Sequence, residues 1–358
     1  MDVNRTNSIF NTIGGMEITI NVGDLSEKKQ IGGKFMKKIV TFLTAFMVMG
    51  TLFAGCGGSK DAAKPAATET KFINIATGGT SGTYFPLGGA VADILNKNIK
   101  GVNASAQSTG ASVANVNLLQ QGKVDIAFVQ NDIAYYASNG VEMFKDKKVT
   151  NLKGIATLYP ETVQIITLGK TGIKSLSEVK GKRVAVGAAG SGTEANARQI
   201  LAAYGITYND IDVQYLSFGE ASNALKDGNV DVAFVTAGFP TAAVQDIASQ
   251  HEVVMLSVDA DKADALIKKY PFYTKVNIPA KTYSSQTVAC DAVAVRCMLV
   301  VTDKMDEKTS YDVTKAIFSN LDRMKAAHAV AAAISKATAT DGMSITLATG
   351  SDKFFKEK

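Results

Sequence analysis

The chain has 358 residues, 46% hydrophobic and 20% charged, a composition that excludes a disordered or fibrous protein and at this length favours two domains over one core. Its formal charge of +5 comes from lysines scattered along the sequence. No basic block and no interleaving of Arg with aromatic residues marks a nucleic-acid surface, so no nucleic-acid partner is expected.

Met36 to Cys56 reads MKKIVTFLTAFMVMGTLFAGC: two lysines, an apolar run from Ile39, then Ala54 and Gly55 directly before a cysteine. This is the pattern of a secretory signal, and about 17 apolar residues is short for a membrane span. The small residues before Cys56 resemble a bacterial lipobox, with Phe53 where Leu is usual. Residues 36–55 are therefore expected to be a lipoprotein signal peptide, with Cys56 lipidated; the other reading is an uncleaved membrane anchor. Either way the remainder is exported to the cell envelope. Residues 1–35 precede a signal that should itself come first, and are read as an over-extended gene start, with IGGKF before Met36 compatible with a ribosome-binding sequence. Residues 56–71 are rich in Gly, Ala, Ser and Thr and form a flexible tether.

From Phe72 the order is strand, turn, helix, repeated. FINIAT is a strand, GGTSGTYFP a glycine-rich turn, LGGAVADILNKN a helix, SVANVNLLQQG a second helix ending at Gly122, and VDIAFV a strand apolar enough to be covered on both faces. The second half restates this with GKRVAVGAAGSGT, TEANARQILAAYG, VQYLSFGE, ASNALKDG and VDVAFVTAG. LQQGKVDIAFVQ (119–130) and LKDGNVDVAFVT (225–236) share seven of twelve positions, and SGT at Ser81–Thr83 recurs at Ser191–Thr193. A spacing above 100 residues is too long for a solenoid repeat and is the size of a small domain. Two similar lobes follow.

Two long strand-like runs, 155–168 and 287–302, flank the second half, as expected of strands crossing between lobes. Lobe I is then 72–165 and 288–358, lobe II is 166–287, and the helical C-terminal part from Asp306 packs back on lobe I. Cys290 and Cys297 lie in the second run, about 23 Å apart on an extended strand, too far for a disulfide. They are read as buried free thiols. With only His251 and His328 in the chain, both read as remote from the cysteines, no metal site is expected.

GGTSGTYFPLGGAVA, VDIAFVQNDIAYYASNG, LYPETVQII, GSGTEANARQILAAYGITYNDI, VDVAFVTAGFPTAA and KKYPFYTKVNIPA, spread over residues 72–330, resemble the TAXI family of solute receptors for TRAP transporters. The resemblance implies an α/β, two-lobed periplasmic-binding-protein type II fold with a strand hinge. It also implies capture of a small solute for a membrane transporter. The family often carries a Pro-Leu-His-Pro-Gly-like stretch near the C-terminus, whereas residues 343–351 here lie within MSITLATGSDKFF, and the role of that stretch is left open.

Both glycine-rich turns join a strand to a helix, where free N–H groups and the helix dipole suit an anion. Gly79, Thr80, Ser81 and Thr83 from the first turn, and Ser191, Gly192 and Thr193 from the second, are candidate ligand contacts; the plainer role of the hydroxyls is helix capping. Gln130 and Asn131, after the first repeated strand, and Thr236, Gly238 and Phe239, after the second, sit where strand ends face a cleft. Tyr84 and Tyr159 are candidate walls, with ordinary packing as the alternative. Asp132 and Glu161 would pair with a ligand amine, or be capping or solvated carboxylates.

GAAGSGTE has P-loop glycine spacing but Thr193 in place of the lysine, and neither serine turn is a GxSxG elbow, so catalysis and cofactors are not expected. The function expected is capture of a small organic anion, an amino acid such as glutamate or a dicarboxylate, for TRAP membrane subunits. The alternatives are a receptor for an ATP-driven importer or a sensor kinase, or an extracytoplasmic hydrolase.

Overall fold

A computed structural model describes residues 70–357; residues 1–69, and with them the expected signal peptide, Cys56 and most of the tether, lie outside the described residues. The first lobe opens with β1 (Lys71–Ala76), α1 (Tyr84–Asn98), β2 (Val102–Gln107), α2 (Ser112–Gln120), β3 (Ile126–Gln130) and α3 (Asn131–Asn139). A 17-residue strand, β4 (Leu152–Leu168), leads into β5 (Arg183–Ala185), α4 (Gly192–Ala203), β6 (Asp212–Gln214), α5 (Phe218–Lys226) and β7 (Val232–Ala237). Then come α6 (Ala242–Ala248), β8 (Val253–Met255), α7 (Ala260–Lys269), β9 (Thr274–Ile278) and the 13-residue β10 (Cys290–Thr302). Three helices close the chain: α8 (Glu307–Phe318), α9 (Leu321–Ala327) and α10 (Thr349–Lys356).

Strand order is β2-β1-β3-β10-β4-β7-β5-β6, with β8 also on β4 and β9 also on β10. The triples β2-β1-β3 and β6-β5-β7 are each parallel, and β4 and β10 run antiparallel to them. Seventeen residues of strand span about 55 Å, more than one small lobe. β4 accordingly pairs with β10 along its length in lobe I and with β7 from Thr162 onward in lobe II. β10 pairs with β9 in lobe II through Ala294 and with β3 in lobe I from Cys297. These are the two crossing strands, and β10 carries register shifts between Arg296 and Met298 and between Leu299 and Val300. Cys290 and Cys297 are buried and free.

Each half of the sheet is covered on both faces. In lobe I, one apolar cluster gathers Ile75, Leu87, Val91, Phe128 and Leu299 with Val313 and Ile317 of α8 and Met324 of α9, and another gathers Val116, Ala127, Val129, Ile133 and Val300. In lobe II the equivalents are Val184, Ile200, Val232 and Phe234 on one face, Leu225, Ala233, Val235 and Val244 on the other. The repeated Ala-Phe-Val is thus the buried strand of each lobe. Truncating Phe128 or Phe234 to Ala would cost about 3–5 kcal/mol.

The rest of the repeated phrase has equally local causes. Gly122 and Gly228 adopt φ of +65° and +74° and end α2 and α5. The Asp125 carboxylate accepts the Asn74 backbone N–H at 2.8 Å, and the Asp231 carboxylate accepts the Arg183 backbone N–H at 2.9 Å. Each aspartate thus ties the start of the buried strand to the neighbouring parallel strand. Among the described residues, no helix is long and apolar enough to cross a membrane.

Candidate functional site

A parallel strand that feeds a helix places that helix's N-terminus at the carboxyl edge of the sheet. Here five such junctions, three from lobe I and two from lobe II, open onto one interlobe cavity. The residues capping α1, α2, α3, α4 and α5 are Thr83, Ala111, Gln130, Ser191 and Ser217. All five line a cavity of about 60 Å³, the volume open to the centre of a water-sized sphere. No Lys, Arg or His is among its lining residues. Its positive character comes from helix ends, each equivalent to roughly half a unit charge before screening.

The floor has the opposite character. Glu161, on β4, is 1% exposed; its Oε1 accepts from the Tyr84 hydroxyl at 2.6 Å and its Oε2 from Gln130 Nε2 at 3.4 Å. Burial pushes this carboxyl up to about 8, against the pull of those two hydrogen bonds. Gln130 Oε1 and Thr236 Oγ1, both buried, have no hydrogen-bond partner. The unpaired oxygens of Gln130 and Thr236 therefore lie beside the Glu161 carboxyl, beneath walls that offer donors.

Of the residues singled out from sequence, Gly79, Thr83, Tyr84, Gln130, Glu161, Ser191, Gly192, Thr193 and Thr236 come together on this cavity. Ser191 also caps α4, its Oγ accepting the Glu194 N–H at 3.2 Å. The others are placed elsewhere. Thr80 is exposed, and Ser81 lies against Gly219 on the seam between the lobes. The Asn131 side chain is engaged outside the cavity, its Oδ1 accepting the Arg296 N–H at 3.0 Å and its Nδ2 donating to Gly342 O at 3.0 Å. Tyr159 shares a face of β4 with Glu161 but falls two residues deeper into lobe I, in the core at 0% exposure. Gly238 packs on Val330, and Phe239 packs on Ile278, Cys290 and Ala292.

Two lining segments escaped the sequence reading. Thr109 to Ser112 leads into and opens α2, with Ala111 at φ +71° and ψ −150°, a conformation L-residues rarely adopt. Ser217 and Phe218 open α5, where Ser217-x-x-Glu220 forms a capping box, a signal present in the sequence.

His328, read as part of a C-terminal helix, stands just past the end of α9 with its Nε2 3.3 Å from Thr83 Oγ1. This is not a nucleophile and base. The Val330 N–H donates to His328 Nδ1, which leaves the ring proton on Nε2, and the Thr83 hydroxyl donates to Gly238 O at 3.2 Å. The ring therefore donates to Thr83 and has no lone pair to take its proton.

The profile of the NMT1-like family matches residues 75–358. The chain belongs to the NMT1-like family. Among solved structures, this NMT1-like chain is similar to PhnD1 from Prochlorococcus marinus MIT 9301, solved with methylphosphonate, at 11% identity and TM-score 0.51 over 74% of this chain and 91% of that one. It is also similar to a protein of Bordetella bronchiseptica RB50, at 16% identity and TM-score 0.50 over 80% and 82%. A structure titled a putative L-cystine ABC transporter from Listeria monocytogenes gives 18% identity and TM-score 0.47 over 74% and 98%. The NMT1-like chain has the two-lobed periplasmic-binding-protein type II fold expected from its sequence; neither the profile nor these structures name the TAXI receptors.

Proposed function

We propose that this NMT1-like protein is an exported solute receptor that closes its two lobes over a small organic anion carrying an amino group. The observation that carries the reading is the convergence of five helix N-termini on an interlobe cavity with no cationic side chain. An anionic group fits the donor-rich walls, and an ammonium, with N–H donors only, fits the acceptors of Glu161, Gln130 and Thr236. An amino acid meets both demands, its ammonium drawing Glu161 to the ionised form; a dicarboxylate brings no cation to that buried carboxyl.

The delivery partner has two readings. The TAXI-like motifs support TRAP membrane subunits, while the one transporter named among the neighbours above is of the ABC type. Both need the same receptor, and co-purification of membrane subunits with the native protein separates them. The lipobox-like segment supports a lipid anchor at Cys56 in either case.

Titration calorimetry with L-glutamate, L-glutamine, 2-oxoglutarate and succinate, on the wild type and Glu161→Gln, tests the ligand class. The amino acids should bind the wild type, and Glu161→Gln should weaken them by about ten to a hundredfold, the worth of a charged hydrogen bond. Binding of 2-oxoglutarate or succinate in preference to both amino acids overturns the amino-group assignment. Hydrolysis of ester or phosphoester substrates would overturn the receptor reading itself.

A further inference from the structure

Away from the cavity the lobes meet again, along α3 of lobe I and α4 of lobe II. Asp132, in the first turn of α3, accepts at Oδ2 from Asn196 Nδ2 of α4 at 3.1 Å. The same Nδ2 is 2.8 Å from the Tyr273 hydroxyl, which donates to Gln199 Oε1 at 2.8 Å. Gln199 Nε2 donates back across the seam to the Tyr136 hydroxyl at 3.0 Å. All five side chains are buried. Phe272 packs beside them on Tyr135 and Tyr136, with ring centroids at 4.9 and 5.8 Å.

The hydrogen count of this network does not close. Asp132 Oδ1 and Asn196 Oδ1 are both buried acceptors without a partner. Nor does a cation compensate. On α4, Arg198 is held by Glu194 and Glu142 at the rim. On β10, Arg296 offers Asn131 its backbone N–H, and its side chain lies against Gly342. The remaining titratable neighbours are Tyr136 on the same helix, Tyr270 and Tyr273 from lobe II, and Glu161 from β4. Beyond the N–H groups of its own helix start and the Asn196 amide, an ionised Asp132 would be a buried charge with no cation and with Asn196 Oδ1 left unpaired, a costly arrangement, whereas one proton supplies a missing donor.

We propose that the α3–α4 seam is a proton-linked latch, in which Asp132 takes up a proton as the lobes close and releases it to solvent as they part. Burial pushes the closed-state carboxyl up to about 7, with Asn196 and the helix-start N–H groups pulling the other way. The sign follows from linkage. The closed form binds the proton more tightly, so closure is favoured at low pH. The closing equilibrium falls about tenfold per pH unit between the ordinary carboxylate value and about 7, then levels off. Acid would retain cargo and alkali release it. The latch needs no ligand, so its test is independent of the solute assignment.

The test uses ligand-free, full-length protein with spin labels on ketone-bearing residues at Asn139 and Ala202, exposed positions at the C-terminal ends of α3 and α4. Glu161→Gln is the parent, which removes the other buried carboxyl. Pulsed electron resonance should show the ratio of near to far populations falling at least tenfold from pH 5 to 7.5 in the parent, and changing less than twofold once Asp132→Asn is added. A parent whose distances ignore pH, or that stays parted at pH 5, overturns the latch, as does an Asp132→Asn protein that keeps the parent's response. Should Asp132→Asn fail to melt cooperatively, Asn196→Asp decides: a second carboxyl on the seam should part the lobes at a lower pH than in the parent, and an unchanged profile overturns the proposal.

Discussion

Gly192, the first residue of α4, lies so close to Gln130 of the opposite lobe that a Cβ there would overlap the Gln130 side-chain amide. Contact between the lobes at the cavity therefore depends on the absence of a side chain. Gly192→Ala should leave each lobe folded but force Gln130 aside, at an overpacking cost of about 1–3 kcal/mol. Amino-acid affinity in calorimetry should fall about ten to a hundredfold, with the thermal midpoint of the unliganded protein within about 3 °C of wild type. Unchanged affinity would show that Gln130 moves freely.

Thr193 lines the cavity at the start of α4, whereas Ser81 faces Gly219 and Arg198 is engaged by Glu142 at 3.3 Å and Glu194 at 3.4 Å. Thr193→Val removes a hydroxyl from the cavity lining and, on the proposed reading, should weaken binding about tenfold or more. Ser81→Ala and Arg198→Gln should each change affinity by less than about threefold, as rim pairs contribute little. If Arg198→Gln abolishes binding instead, a side-chain clamp replaces the helix ends.

The Asp231 carboxylate holds the Arg183 backbone N–H and, at 2.6 and 3.0 Å, its guanidinium. Hydrogen bonding from Arg183 leads the lowering of its pKa in the fold. A lowered carboxylate contributes stability above the ordinary value of about 4 and loses it as pH falls further. Asp231→Asn should lower the midpoint at pH 7 by about 2–4 °C, and the difference should narrow below pH 4. A difference that persists in acid would assign the loss to geometry rather than charge.

The repeated phrase was legible because its causes are local: a left-handed glycine, an aspartate reaching the next strand, and a strand covered on both faces. β2 was missed for the converse reason. Val102–Gln107 is a polar edge strand with only Ala104 buried, and carries little periodic signal. The site was half legible. Strand-to-helix turns with glycine announce themselves, so Gly79, Thr83, Gly192 and Thr193 were found. Thr109–Ser112 and Ser217 reach the cavity only because the sheet folds five junctions to one edge. Tyr159 went astray because the face of a crossing strand is readable but the depth along it is not.

Cys56 lies outside the described residues, and its assignment rests on FAGC alone. Cells given a clickable fatty acid should label the wild type and not Cys56→Ser. Label on the substituted protein would rule out lipidation at this cysteine.

The helix ends around the cavity are made of backbone, and backbone has neither a pKa nor a codon. An arginine clamp is lost by one point substitution, but the field of five helix starts survives any single side-chain change that leaves the helices wound. On the proposed reading, changes at Glu161, Gln130 and Thr193 would retune which solute is accepted, while the attraction for an anionic group would be inherited with the fold itself.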